Sequence, residues 1–299
     1  MQGKAVILGA VALLALSACD GARQQSAITA SKPKLALGTP DLVGMPDLVV
    51  DAGKLASSWV ISHETLLSNT CSVIEGDVPS GDHLLLRFTV TTPNIGDADV
   101  AIGDPRTHID PNGDGNYNDS DGTYEFAPCH HHFHFRNYAK YEMFPVLANG
   151  TLGTSVKARK RGFCMIDTTP FSADSPPKQR VYVSCGTPES AGNQGISVGY
   201  ADTYVKALGG QYFVLDDPAE PVPAGRYVLR ITVNPPFAHV TGQPCPVLDP
   251  VGMCHNFAEA SYTNNVGQIT IDVPARTGKT GGAMKTATDY SDDENRPTT

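Results

Sequence analysis

Tyr227-Val228-Leu229-Arg230-Ile231-Thr232-Val233 is entered through Pro223-Ala224-Gly225 and left through Asn234-Pro235. Apolar side chains at 227, 229, 231 and 233 recur with period two, so an extended chain carries all four on one face. A helix would scatter them around its circumference. Pro and Gly at the ends are the punctuation of a strand. Leu84, Leu86, Phe88 and Val90 repeat the pattern, again predicting one apolar face. Ser261-Tyr262-Thr263-Asn264-Asn265 is turn chemistry leading into a last strand, Val266 to Val273. No long segment has the 3.6-residue period of an amphipathic helix, and no internal repeat is evident. With 29 Gly and 23 Pro, the chain is expected to be all-β: a single β-sandwich domain with long loops, braced by disulfides.

Working outward, the N-terminus predicts export. Lys4 precedes an apolar run from Ala5 to Leu16, too short for a comfortable membrane span, and Ser17-Ala18 supply a small-residue cleavage site. Residues 1–18 therefore read as a signal peptide. Leu16-Ser17-Ala18-Cys19 resembles a bacterial lipobox, which implies an acylated Cys19 and a lipoprotein anchored to a membrane, in the periplasm or at the cell surface. Residues 19–44 read as a flexible tether, 45–274 as the functional domain, and 275–299 as a disordered tail with an acidic Ser-Asp-Asp-Glu cluster. Six further cysteines, at 71, 129, 164, 185, 245 and 254, suit disulfides in an exported chain, although spacing alone does not choose their partners. A net charge of −9 argues against a nucleic-acid partner and mildly favours cationic ligands such as amines.

Cys129-His130-His131-His132-Phe133-His134 carries the most chemistry. Read as one extended strand, it points His130, His132 and His134 to one side and His131 to the other. Three imidazoles on one face make a metal site with open positions, and imidazole suits Cu, Zn, Fe and Ni alike. The bland alternative, a surface run that picks up metal adventitiously, is disfavoured by Tyr124, Phe126, Phe133, Phe135 and Tyr138 around the cluster. Just upstream, Asp110, Asn112, Asp114, Asn118 and Asp121 stand at calcium-loop positions 1, 3, 5, 9 and 12, with Gly115 at position 6 and the Asn116 carbonyl at position 7. The alternative there is a merely polar turn.

Tyr124-Glu125-Phe126-Ala127-Pro128-Cys129-His130-His131-His132-Phe133-His134 resembles the copper-binding segment of lysyl oxidases, and the likeness runs from about Met45 to Val273. Met45-Pro46-Asp47-Leu48-Val49 is similar to that family's domain opening. Lys160-Arg161-Gly162-Phe163-Cys164 and the stretch from Gln194-Gly195-Ile196-Ser197 to Asp202-Thr203-Tyr204 match the segments that supply its lysine tyrosylquinone cofactor. The resemblance implies a Cu²⁺-dependent amine oxidase that turns primary amines or peptidyl lysine into aldehydes with O₂, releasing H₂O₂ and ammonia. It implies copper on His130, His132 and His134, and a cofactor made from Lys160 and Tyr204. Asp202 is a candidate base or cofactor-orienting group. Ala127 and Lys140 depart from the animal pattern, where each position carries or adjoins a His, so a general base does not transfer. The resemblance also suggests a Cys129–Cys185 bridge. Cys245 and Cys254 then pair locally across a Pro-rich loop, leaving Cys71–Cys164. The rival readings are a non-catalytic copper-binding lipoprotein, which needs neither Lys160 nor Tyr204, and a calcium-dependent surface or adhesion module, which leaves the histidines idle.

Overall fold

The structure is a computed structural model that describes residues 37–75, 78–115, 119–160, 162–171, 179–241, 244–275 and 280–281. The expected signal peptide, Cys19, most of the tether and residues 282–299 lie outside the described residues. In chain order the early strands are β1 (Trp59–Leu66), β2 (Gly81–Phe88), β3 (Val90–Pro93) and β4 (Val100–Gly103). The middle of the chain supplies β5 (Tyr124–Ala127), β6 (His132–Arg136), β7 (Ala139–Pro145), β8 (Val156–Lys157), β9 (Gly162–Phe163) and β10 (Thr169–Pro170). Then come β11 (Gln194–Ile196), β12 (Tyr200–Tyr204), β13 (Tyr212–Val214) and β14 (Gly225–Val233). The chain closes with β15 (Phe237–Ala238), β16 (Val247–Leu248), β17 (Met253–His255), β18 (Val266–Val273) and β19 (Thr280–Gly281). Among the described residues the helices are short turns: α1 (Ala52–Ser57), α2 (Cys71–Ile74) and α3 (Arg106–Ile109). None is long and apolar enough to cross a membrane.

The all-β expectation holds. One sheet has the order β13-β2-β1-β19 and a second β18-β14-β7-β8. Their facing side chains form one core, in which Phe88 of β2 meets Tyr141 of β7 edge-on at 5.3 Å between ring centroids. β14 is an interior strand of its sheet, paired on both sides, and Tyr227, Leu229, Ile231 and Val233 are buried as the alternation requires. β2 departs from its expected single apolar face. Leu84 is only partly buried, whereas Leu85 and Arg87 on the opposite face are fully buried. Leu66, Val78, Tyr212 and Val214 form a second, smaller core around Leu85, so both faces of this strand are covered.

Arg87 can be buried because its charge is answered on several sides. Its Nε donates to Glu64 at 2.8 Å, and Nη1 donates to the carbonyls of Lys206 and Leu208 at 3.2 Å each. These bonds fix the loop that follows β12.

Two boundary expectations need correction. Residues 37–44, assigned to the tether, already pack on the domain: the Gly38 amide donates to the Arg180 carbonyl at 2.9 Å and the Asp41 amide to Asp99 Oδ2 at 3.0 Å. Residues 280–281, assigned to the tail, pair antiparallel with Val60 and Ile61 of β1, because that sheet edge offers unpaired backbone groups.

Candidate metal and cofactor centre

β5 and β6 form a hairpin in which Tyr124 opposes Phe135 and Ala127 opposes His132. The strand thus begins at His132 rather than at His130, which corrects the expectation of one extended run. Residues 128–131 make the turn, and His131 sits there in the left-handed region at φ 54° with an exposed side chain. Within β6, pleating points His132 and His134 one way and drives Phe133 and Phe135 into the core. His130 joins the other two from the turn. The ring centroids of the three imidazoles lie 4.9 to 5.6 Å apart.

The donor set fits a metal. His132 Nε2 and His134 Nε2 are 3.1 Å apart. Two imidazoles at a metal–nitrogen distance of about 2.0–2.1 Å would stand about 2.9 to 3.4 Å apart for angles between square and tetrahedral. His130 completes the group with its ring centroid 5.2 Å from that of His134 and 5.6 Å from that of His132. Burial pushes the His134 pKa down to about 2, helped by the charge of Lys160 and by the two neighbouring imidazoles. His134 is therefore neutral, the form that ligates.

Lys160 arrives beside this cluster because β9 pairs with β6, setting Gly162 opposite Arg136 and Phe163 opposite Phe135. Only a glycine fits at 162, where a Cβ would overlap the His134 ring. Lys160 Nζ lies 4.9 Å from the centre of the Tyr204 ring and 5.3 Å from that of Phe163. Tyr204 closes β12, is buried, and donates its hydroxyl proton to the Cys164 carbonyl at 2.8 Å. Phe163 meets it edge-on at 5.1 Å. A cavity of about 290 Å³ is lined by His130, His132, His134, Lys160, Asp202 and Tyr204 together. The residues singled out in three separate stretches of sequence thus share one enclosure.

Asp202, two residues before Tyr204, is fully buried, and burial raises its carboxyl pKa well above the ordinary value. Its Oδ2 takes no hydrogen bond, the nearby Tyr204 hydroxyl being turned to Cys164 instead. Burial, reinforced by the Asp202 charge, likewise raises the Tyr204 phenol.

Gln194 does structural work that sequence reading did not assign to it. Its amide donates to the carbonyls of Phe133 and Cys185 at 2.9 Å each, and its oxygen accepts from the Met165 amide at 3.1 Å. It thereby clamps the histidine strand to the segment after Lys160. Glu75 was missed altogether. It is remote in sequence from every motif, yet it lines a second cavity, of about 410 Å³, that shares His130, His134 and Lys160 with the first.

The acidic loop brings together some of the expected ligands. Carboxylates of Asp110, Asp114 and Asp119 lie within 4.8 Å of one another. Asn112 Oδ1 accepts from the Asp114 amide at 2.9 Å, while Asn116 and Asn118 lie outside the described residues. Asp121, expected at position 12, is instead bonded to His108 Nδ1 at 2.6 Å and to the Thr123 amide at 2.8 Å. The neighbouring α3 supplies that imidazole.

Two disulfide expectations are overturned. The bridges are Cys71–Cys129, Cys164–Cys185 and Cys245–Cys254, so only the last matches. Cys129 sits in the hairpin turn facing α2, and Cys185 faces the strand end at Cys164. The Cα–Cα distances of 5.4 and 5.3 Å leave neither sulfur for the expected Cys129–Cys185 or Cys71–Cys164 pairing. Three bridges belong to an oxidising compartment.

The family model described as Lysyl oxidase matches residues 46–242, about two thirds of the chain. No curated protein matches the chain.

Proposed function

The chain belongs to the lysyl oxidase family, and from that premise we propose that it is a copper-dependent amine oxidase acting on primary amines, peptidyl lysine among them. Its products are an aldehyde, H₂O₂ and ammonia. His130, His132 and His134 would hold the copper, and Lys160 and Tyr204 would be joined as lysine tyrosylquinone. The observation that carries this reading is Lys160 Nζ 4.9 Å from the Tyr204 ring centre, inside the cavity that the three imidazoles line. When present, copper supplies one-electron chemistry with O₂, and the quinone serves as the electron sink.

The chain's own residues do the rest. The Cys164 carbonyl holds the Tyr204 hydroxyl, and Phe163 shields the ring from water. Arg87 holds the loop after Tyr204 through the Lys206 and Leu208 carbonyls, keeping one wall of the cavity in place. Asp202, buried in the cavity wall beside Tyr204 with its Oδ2 outside any closed hydrogen bond, offers the acceptor for the proton leaving the amine's α-carbon. A copper store would need neither Lys160 nor Tyr204, which disfavours that rival.

A second, structural ion belongs to the same reading. The hard oxygens of Asp110, Asp114 and Asp119 suit Ca²⁺. Export, supported by the three bridges, is also part of the proposal, and with it acylation at Cys19, which rests on the lipobox-like Leu16-Ser17-Ala18-Cys19.

Copper-loaded, aerated protein is expected to give a coloured adduct with phenylhydrazine and to release peroxide from a primary amine. Tyr204→Phe should lose both signals while keeping copper and fold, because the phenyl ring fills the same space but cannot become a quinone. Full peroxide release from Tyr204→Phe would overturn the assignment.

A further inference from the structure

We propose that Glu75 is the positioning residue for His130, holding its Nδ1 so that Nε2 is presented to the copper. The inference rests on the copper reading above. His130 Nδ1 is shut off from solvent and has no closed hydrogen bond, yet Glu75 Oε1 lies 3.4 Å away. That is longer than the roughly 2.7–2.9 Å of a charge-assisted bond, a gap that a small rotation of the glutamate closes. Both side chains are largely withdrawn from water, at 13 % and 23 % exposure, so the attraction is only partly screened.

The covalent frame supports the pairing. Glu75 follows α2 directly, and Cys71 at the start of α2 is bridged to Cys129, the residue before His130. The disulfide therefore docks the carboxylate and the imidazole against each other. His130 needs such a partner more than the other two do. His132 and His134 are fixed by β6 itself, whereas His130 sits in a turn whose next residue is in the left-handed region. A carboxylate on the non-ligating nitrogen sets both the tautomer and the ring orientation of a metal-bound histidine. Glu125, the other acid in the shared cavity, lies 3.7 Å from Arg136 Nε and does not compete for this role.

The test is copper affinity by chelator competition, together with the EPR spectrum of the Cu²⁺ protein. Glu75→Ala should raise the copper Kd about 10- to 100-fold and alter the spectrum. Glu75→Gln, which keeps an oxygen able to accept from Nδ1–H, should restore the wild-type spectrum and most of the affinity. In a His130→Ala background, Glu75→Ala should cause no further loss, since the two act as a unit. A Glu75→Ala protein with wild-type Kd and spectrum would overturn the proposal, as would an equal loss in the His130→Ala background. If Glu75→Ala fails to fold, a Glu75→Gln spectrum unlike wild type overturns it as well. Wild-type protein without histidine-dependent copper would instead sink the copper reading, and this inference with it.

Discussion

Among the buried carboxyl groups of this domain, Glu259 and Asp202 are treated in opposite ways. Glu259 is 4 % exposed and both of its carboxyl oxygens are used. Its Oε1 accepts from the Leu48 amide at 2.7 Å, and its Oε2 accepts from Asn234 at 2.8 Å and Asn265 at 2.6 Å. Asp202 is 1 % exposed, and its Oδ2 is left without a partner in the cavity beside Lys160 and Tyr204. A satisfied buried carboxyl is a structural tie, here joining the domain's opening segment to its last turns. Burial alone does not separate the two; the state of the acceptors does.

The largest effect is expected from breaking the tie. Glu259→Ala leaves three buried N–H donors without an acceptor and opens a void, which should cost about 3–5 kcal/mol in urea unfolding. A loss under about 1 kcal/mol would mean that water replaces the carboxylate and the contrast with Asp202 fails.

The same tie should be visible in pH dependence. Burial raises the Glu259 pKa from 4.5 to about 7, against the opposing pull of its three donors. The folded state therefore binds the proton more tightly than the unfolded chain. Its contribution is fully present below pH 4.5 and is lost as pH rises through about 7. The stability difference between wild type and Glu259→Gln should accordingly fall by on the order of 3 kcal/mol across that window. A flat difference would show that the three N–H bonds outweigh desolvation.

The smallest change in stability is expected at the other carboxyl. Asp202→Asn keeps the shape and removes a buried ionisable group that has little to lose, so stability should stay within about 0.5 kcal/mol or rise. Peroxide release should nevertheless drop sharply while copper binding is unchanged. Marked destabilisation by Asp202→Asn would move this residue into the structural class with Glu259.

What could be read from the sequence follows from how far apart the interacting residues are. Alternation in β14 needs only neighbours two residues apart, so Tyr227, Leu229, Ile231 and Val233 were assignable to one face without knowing what covers them. The same holds for His132 and His134, whereas His130 belongs to the turn before the strand and lay outside what period two can state. In β2 the rule named one face, but the second small core under Leu85 is built by residues as distant as Val214.

By itself, the sequence determined the strand-rich character of the domain and the histidine pair of β6, because each is a short-range pattern, while the Lys160 and Tyr204 segments were singled out by family resemblance. Only the tertiary structure decided the partners: Cys71 with Cys129 across 58 residues, Cys164 with Cys185, Asp121 with His108, Glu75 with His130. The physical reason is that a disulfide or an ion pair depends on where two distant segments are brought by the packing of sheets. Their local sequences carry the reactive group but not the direction from which its partner arrives.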